Sequence, residues 1–199
     1  MHISLENIGK KYGKTWIFKG LNASIESGDR FAILGGNGSG KSTLLKIIAG
    51  QADPNSGSII YAGTPVEEVY KKLSYCAPYI DLIEELTLSE LLHFVGSYQA
   101  FLPAFSKRRI LDMLAYDPNK WIKDYSSGMK QRVKIALALF ADVSLTLLDE
   151  PTSNLDEIGV EWYLEMMKVV PEDRTIIIAS NLSREYAFCK KQLDITNYK

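Results

Sequence analysis

The sequence predicts an α/β protein: a mostly parallel sheet with an antiparallel β flank and a helical insertion. Three observations predict it. Short apolar runs at 30–34 and 145–148 each lead toward residues with helical spacing, the pattern of buried parallel strands covered on both faces. Residues 2–6 alternate apolar and polar, and strand-like runs at 16–25 and 58–61 lie beyond turn signals, which predicts the flank. From about 79 to 124 the strand pattern stops and helical spacing takes over.

In chain order, residues 2–6 read as a strand, 10–14 as a turn and 16–25 as a second strand. Ser27-Gly28-Asp29 is a turn signal before the buried strand at 30–34. Leu44, Ile47 and Ile48 place a helix over 42–49, and further strands follow at 58–61 and 73–76. Thr87 and Glu90 form a reciprocal N-terminal cap pattern for a helix carrying Leu88, Leu91, Leu92 and Val95. A second inserted helix covers 107–115. Then come a helix at 127–141, a strand at 145–148, a helix at 160–169, a strand at 174–179, a helix at 183–189 and a last strand at 192–195. This makes one domain over 1–199, with a core from 1–78 and 125–199 and a helical subdomain at 79–124.

The 199 residues suffice for one substantial core. With 46% apolar and 24% charged residues, the composition is that of a globular protein. A net charge of −1 gives no basic field for nucleic acid or anionic lipid. Lys10-Lys11, Lys107-Arg108-Arg109 and Lys190-Lys191 are short runs that read as solvated faces. The two cysteines, Cys76 and Cys189, make neither a disulfide framework nor a metal site, which fits a reducing cytoplasm. Glu6 and Asn7 stand where a signal peptide needs an apolar run. The most apolar region, 135–148, is broken by Asp142 and Ser144, so a membrane role requires a membrane partner.

Gly35-Gly36-Asn37-Gly38-Ser39-Gly40-Lys41-Ser42 matches the P-loop pattern between an apolar strand and an amphipathic helix. The glycines let successive amide N–H groups face one concavity, and the helix that follows adds its positive end. Lys41 is expected to reach the β- and γ-phosphates and Ser42 to ligate Mg²⁺, with Thr43 completing the nucleotide-binding set. Such a loop alone leaves transport ATPases, kinases, GTPases and helicases all open. Asp149 and Glu150 end the apolar strand at 145–148. Ligand sites of parallel sheets lie at carboxyl ends of strands, so both acids are expected beside the phosphates. Asp149 is the candidate Mg²⁺ ligand. Glu150 is the candidate to polarise the attacking water.

Three further segments carry a resemblance. Tyr125-Ser126-Ser127-Gly128-Met129-Lys130-Gln131-Arg132 resembles the signature motif of ABC ATPases, usually Leu-Ser-Gly-Gly-Gln, and lies upstream of the acidic strand. Pro151-Thr152-Ser153-Asn154-Leu155-Asp156 resembles the D-loop of that family, and Tyr12 stands where the family stacks an aromatic on adenine. Essentially the whole chain is similar, in order, to the nucleotide-binding subunits of ABC transporters. The resemblance implies a P-loop NTPase fold (RecA-like) and ATP with Mg²⁺. It also implies a head-to-tail dimer with a second copy or a homologous ATPase subunit, beneath a separate transmembrane permease on the cytoplasmic face. Ser126, an N-cap, and Ser127 and Gly128 in the first helical turn would then offer free N–H groups to the γ-phosphate held by the opposite subunit.

Two positions depart from the family pattern. Pro78 stands where the family has a glutamine, and proline has neither a side-chain amide nor an N–H. Asn181 stands in place of the switch histidine; it can donate a hydrogen bond to a γ-phosphate but cannot carry a proton. Ser127 and Met129 replace Gly and Gln. The expectation is a working but slow ATPase with Glu150, Lys41 and Asn181 as catalytic residues. A nucleotide-gated ABC module with little hydrolysis is the alternative. Soluble ABC proteins of translation or repair, which carry paired cassettes or long coiled coils, and P-loop metabolite kinases fit less well.

Overall fold

The computed structural model describes residues 1–199. The chain forms two compact units. One comprises Met1–Tyr75, Val143–Glu150 and Pro171–Lys199; the other comprises Cys76–Asp142 and Pro151–Val170.

The first unit holds both sheets. Strands β1 (Ile3–Tyr12), β2 (Thr15–Ile25) and β4 (Ser56–Tyr61) form an antiparallel sheet in the order β2-β1-β4. Strand β1 runs well past the alternating 2–6 segment. Register shifts between Leu5 and Ile8, and again up to Lys11, break the alternation without ending the pairing. The turn shrinks to Gly13-Lys14, since Tyr12 already pairs with Thr15. The second sheet comprises β3 (Arg30–Leu34), β5 (Leu73–Cys76), β6 (Leu145–Asp149), β7 (Thr175–Ser180) and β8 (Lys191–Asp194), in the order β5-β6-β7-β3-β8. The pairings of β3 with β7 and β8, and of β6 with β7, are parallel. Residues 145–149 and 175–180 are buried throughout, which is why both strands are predominantly apolar.

Helix α1 (Lys41–Ile48) joins the two sheets into one core. Its Leu44, Leu45, Ile47 and Ile48 are buried with Ile3, Leu5, Phe18 and Leu21 of the flank and with Leu145 and Ile177 of the parallel sheet. Residues 66–72, for which no element was expected, form a 3₁₀ helix after Pro65. Helix α6 (Ser183–Tyr186) is shorter than the expected 183–189, because Cys189 N–H already turns back to the Tyr186 carbonyl.

The second unit is helical: α2 (Leu88–Tyr98), α3 (Lys107–Leu114), α4 (Ser127–Phe140) and α5 (Glu157–Val169). Helix α5 begins earlier than the expected Val160, because Asp156 caps it by accepting from Gly159 N–H at 2.7 Å. Phe105 stacks on Phe140 with ring centroids 4.3 Å apart, which locks the 101–106 segment onto α4. The Thr87–Glu90 capping box forms as the sequence predicts.

Thr87→Ala removes one arm of that box, so thermal unfolding is expected about 1 kcal/mol earlier, a few degrees in Tm. The backbone and hydroxyl of Thr87 hold the Glu90 carboxyl below its usual range. Its contribution is therefore present above the ordinary glutamate pKa and fades as pH falls through the lowered value. The difference in Tm between wild type and variant should shrink in acid.

Candidate functional site

In the first unit, the loop after β3 curls over the start of α1. Ser39 N–H donates to the Gly36 carbonyl at 3.1 Å, and Leu44 N–H donates to the Gly40 carbonyl at 2.9 Å. Two glycines are required by geometry. Gly40 has φ +107°, and a Cβ there would lie 2.6 Å from Ile17 Cγ2. Gly35 has φ +147°, and its Cβ would lie 2.5 Å from Ser39 Oγ. A side chain at either position would collide with what the loop packs against, Ile17 and Phe18 at Gly40 and Ser39 and Ile195 at Gly35.

A pocket of about 370 Å³ opens over this loop, lined by residues 37–43 with Ile17 and Glu150. Lys41 is only 4% exposed. Its ammonium donates to the Gly35 and Gly36 carbonyls at 2.9 and 3.2 Å and lies 3.6 Å from Glu150 Oε1. A buried ammonium held by neutral carbonyls is poised for a stronger acceptor. Asp149 is 1% exposed, and neither carboxylate oxygen has a hydrogen-bond partner. Burial pushes its pKa up; the nearby Ser42 hydroxyl and Lys41 offset part of this, while Glu150 adds to it. An orphaned buried carboxylate beside a hydroxyl fits a hard divalent cation, which takes oxygen ligands.

Glu150 sits at φ +45°, and its N–H donates to the Ala179 carbonyl at 2.9 Å, so β7 fixes its backbone. Asn181 Nδ2 donates to Asn37 Oδ1 at 3.1 Å. The structure therefore brings the P-loop, Ser42, Asp149, Glu150 and Asn181 together. Tyr12 lies at the hairpin end, 58% exposed, with Lys10 over its ring at 5.8 Å. It does not line the phosphate pocket; Ile17 of β2 does, and sequence reasoning missed it. The available signal was position: Ile17 falls on the strand directly after the Tyr12 hairpin.

In the second unit, Ser126 caps α4, its Oγ accepting from Met129 N–H at 3.2 Å. That leaves the earlier first-turn N–H groups, at Ser127 and Gly128, without intrahelical partners. A pocket of about 330 Å³ faces this corner, lined by Tyr116, residues 126–129, Arg132 and residues 154–156. A Cβ on Gly128 would approach the Asn154 carbonyl to 3.1 Å, a tight contact to which the 154–156 loop would have to yield. Arg132 lies 3.8 Å from Asp156 and 5.6 Å over the Trp162 ring, which adds positive charge beside the helix end. Tyr116 and Arg132 were not singled out from sequence. The buried Gln131 amide donates to the Pro151 carbonyl at 2.8 Å, fixing the residue directly after Glu150. Pro78 is exposed, and its carbonyl accepts from Lys134 at 3.4 Å.

Comparison with known proteins adds an independent line. The family described as "ABC transporter" matches residues 18–153. The linearmycin resistance ATP-binding protein LnrL of Bacillus subtilis is 32% identical over 97% of this chain, which spans 65% of that protein's length. The lantibiotic transport ATP-binding protein SrtF of Streptococcus pyogenes is 34% identical over 92% of this chain and 81% of its own length. Among solved structures, a dimeric post-hydrolysis state of an ATP-binding cassette bound to ADP and Pi has TM-score 0.79 at 25% identity, covering 98% of this chain and 95% of that one.

Asp149→Asn tests the buried carboxylate. Its raised pKa means that the folded chain holds a proton more tightly than the unfolded chain, so its ionisation erodes stability as pH rises above the ordinary aspartate value. Without nucleotide, the variant is expected to melt a few degrees higher at pH 7, with the gain vanishing near pH 4. The extra thermal protection that Mg²⁺ adds to ATP should be lost in the variant.

Proposed function

The chain belongs to the ATP-binding subunits of ABC transporters, and from that premise we propose that it binds and hydrolyses Mg-ATP to drive a separate membrane subunit. The observation that carries this reading is the convergence of Lys41, Asp149 and Glu150 on one cradle of backbone amides. The N–H groups of residues 36–43 and the positive end of α1 would hold the β- and γ-phosphates. Lys41 would exchange two loop carbonyls for phosphate oxygens. Ser42 and Asp149 would hold Mg²⁺, whose chemistry is to neutralise charge on the phosphates.

The exchange at Lys41 has a consequence for Glu150. Drawing the ammonium toward phosphate weakens the 3.6 Å ion pair and leaves the Glu150 carboxylate, 36% exposed, to accept a proton from water. Glu150 is thus proposed as the base, Lys41 as electrostatic stabiliser and Asn181 as a neutral donor to the γ-phosphate. Tyr12 is proposed to stack on adenine beyond the pocket.

The phosphate pocket and the Ser126–Gly128 corner share no lining residue. Each is half of a site: an anion cradle and a separate helix end with free N–H groups. Two copies arranged head to tail complete two sites about a two-fold axis, the second copy supplying Ser126, Ser127 and Gly128 to the γ-phosphate. No helix is long and apolar enough to cross a membrane. The proposed permease would dock on the helical subdomain, 79–124, where Tyr79 and Ile83 are 48% and 39% exposed, at the cytoplasmic face. Nothing in the net charge of −1 favours nucleic acid.

A second reading, nucleotide gating with little turnover, is favoured by Pro78 and Asn181, which supply neither a glutamine amide nor a titrating ring. Steady-state phosphate release decides between them. Glu150→Gln is expected to lower the rate about a hundredfold. Equal rates in the two proteins would remove Glu150 as a base and leave the gating reading.

A further inference from the structure

We propose that Gln131 is a positioning residue for Glu150, holding the peptide that follows the base through the Pro151 carbonyl. The inference rests on the proposed role of Glu150 as that base.

The need for such a hold comes from the backbone. Glu150 has φ +45°, a conformation that L residues with a side chain seldom adopt. The proline that follows narrows its choices further. A residue in that state stays in place only where its surroundings over-determine it. On the amino side, Glu150 N–H donates to the Ala179 carbonyl at 2.9 Å. On the carboxyl side, Pro151 has no N–H, so its main chain can be gripped only by its carbonyl. Gln131 Nε2 donates to that carbonyl at 2.8 Å, and both residues are buried.

Gln131 is only 1% exposed, and its Oε1 has no hydrogen-bond partner. Its amide nitrogen also lies 3.9 Å from Cys76 Sγ, a weak acceptor. An apolar side chain of the same length would fill this space without stranding an oxygen, which costs stability when buried. For packing alone the glutamine is therefore a poor choice. For fixing a carbonyl it is a good one, because no water competes for the bond and the low local dielectric strengthens it. Losing the bond would free the Pro151 side of Glu150 and leave the loop of residues 37–43 that lines the phosphate pocket unchanged. The effect falls on the alignment of the carboxylate, not on the grip on nucleotide.

Phosphate release at saturating Mg-ATP, with calorimetric titration of Mg-ADP alongside, tests the assignment. Gln131→Met keeps the length and removes the donor; it is expected to lower kcat about tenfold and leave ADP affinity unchanged. Adding Gln131→Met to Glu150→Gln should slow the protein no further, because Gln131 acts through Glu150. Gln131→Glu supplies an O–H donor only while protonated, and burial raises its pKa. Its rate relative to wild type should therefore climb as pH falls from about 8 to about 6, while that of Gln131→Met stays level. Should Gln131→Met fail to fold, the acid recovery of Gln131→Glu decides the matter alone. A wild-type kcat in Gln131→Met, an equal loss of ADP affinity, a double variant slower than Glu150→Gln, or no acid recovery would each overturn the proposal. A Glu150→Gln protein as fast as wild type would instead remove Glu150 as the base, a separate failure.

Discussion

Parallel register is the constraint on which the site depends. Because β7 lies between β6 and β3, with Asp149 opposite Ala179 and Leu34 opposite Ser180, three strand ends stop at one level. The P-loop leaves from the first, Asn181 from the second and Glu150 from the third. A slip of one residue would turn every side chain of a strand to its other face and separate the carboxylates from the cradle. The continuous burial of β6 and β7 opposes such a slip, since every position of both strands packs inside the protein. Packing of the strands thus fixes where the candidate site residues stand.

The charges of the first unit are arranged around an unmet need. Lys41 is buried and satisfied only by two carbonyls and a 3.6 Å carboxylate, while both Asp149 oxygens are buried without a donor. Buried groups left in this condition cost stability. A phosphate chain with a divalent cation, as proposed, would answer both at once, supplying anionic oxygens to the ammonium and a positive centre to the carboxylate. On that proposal, ligand binding and stability of this unit would be coupled.

Much of this was legible in the sequence because it is local. A loop pattern, a capping pair and the apolar strands at 30–34 and 145–148 are each written in consecutive residues, and each forms within a residue or two of its expected bounds. What escaped is non-local or conditional. The bulges that carry β1 through to Tyr12 depend on its neighbour strands. The start of α5 depends on the Asp156 side chain accepting from Gly159, a bond that helical spacing does not reveal. Ile17 at the phosphates, Tyr116 and Arg132 at the α4 corner, and the Asn37–Asn181 bond are all products of tertiary placement. The departures at Pro78 and Asn181 were visible as residue types, but their surroundings were not.

The central claim is that each copy carries two incomplete halves of an ATP site. Subunit mixing tests it most directly. Lys41→Ala disables the cradle and leaves the α4 corner whole; Gly128→Asp sets a carboxylate at that corner and leaves the cradle whole. In a mixed pair, one site carries both lesions and the other carries neither. Phosphate release should be near background for each variant alone and recover to about a quarter of the wild-type rate on equimolar mixing, by random pairing. A mixture no more active than its separate components would contradict the shared site.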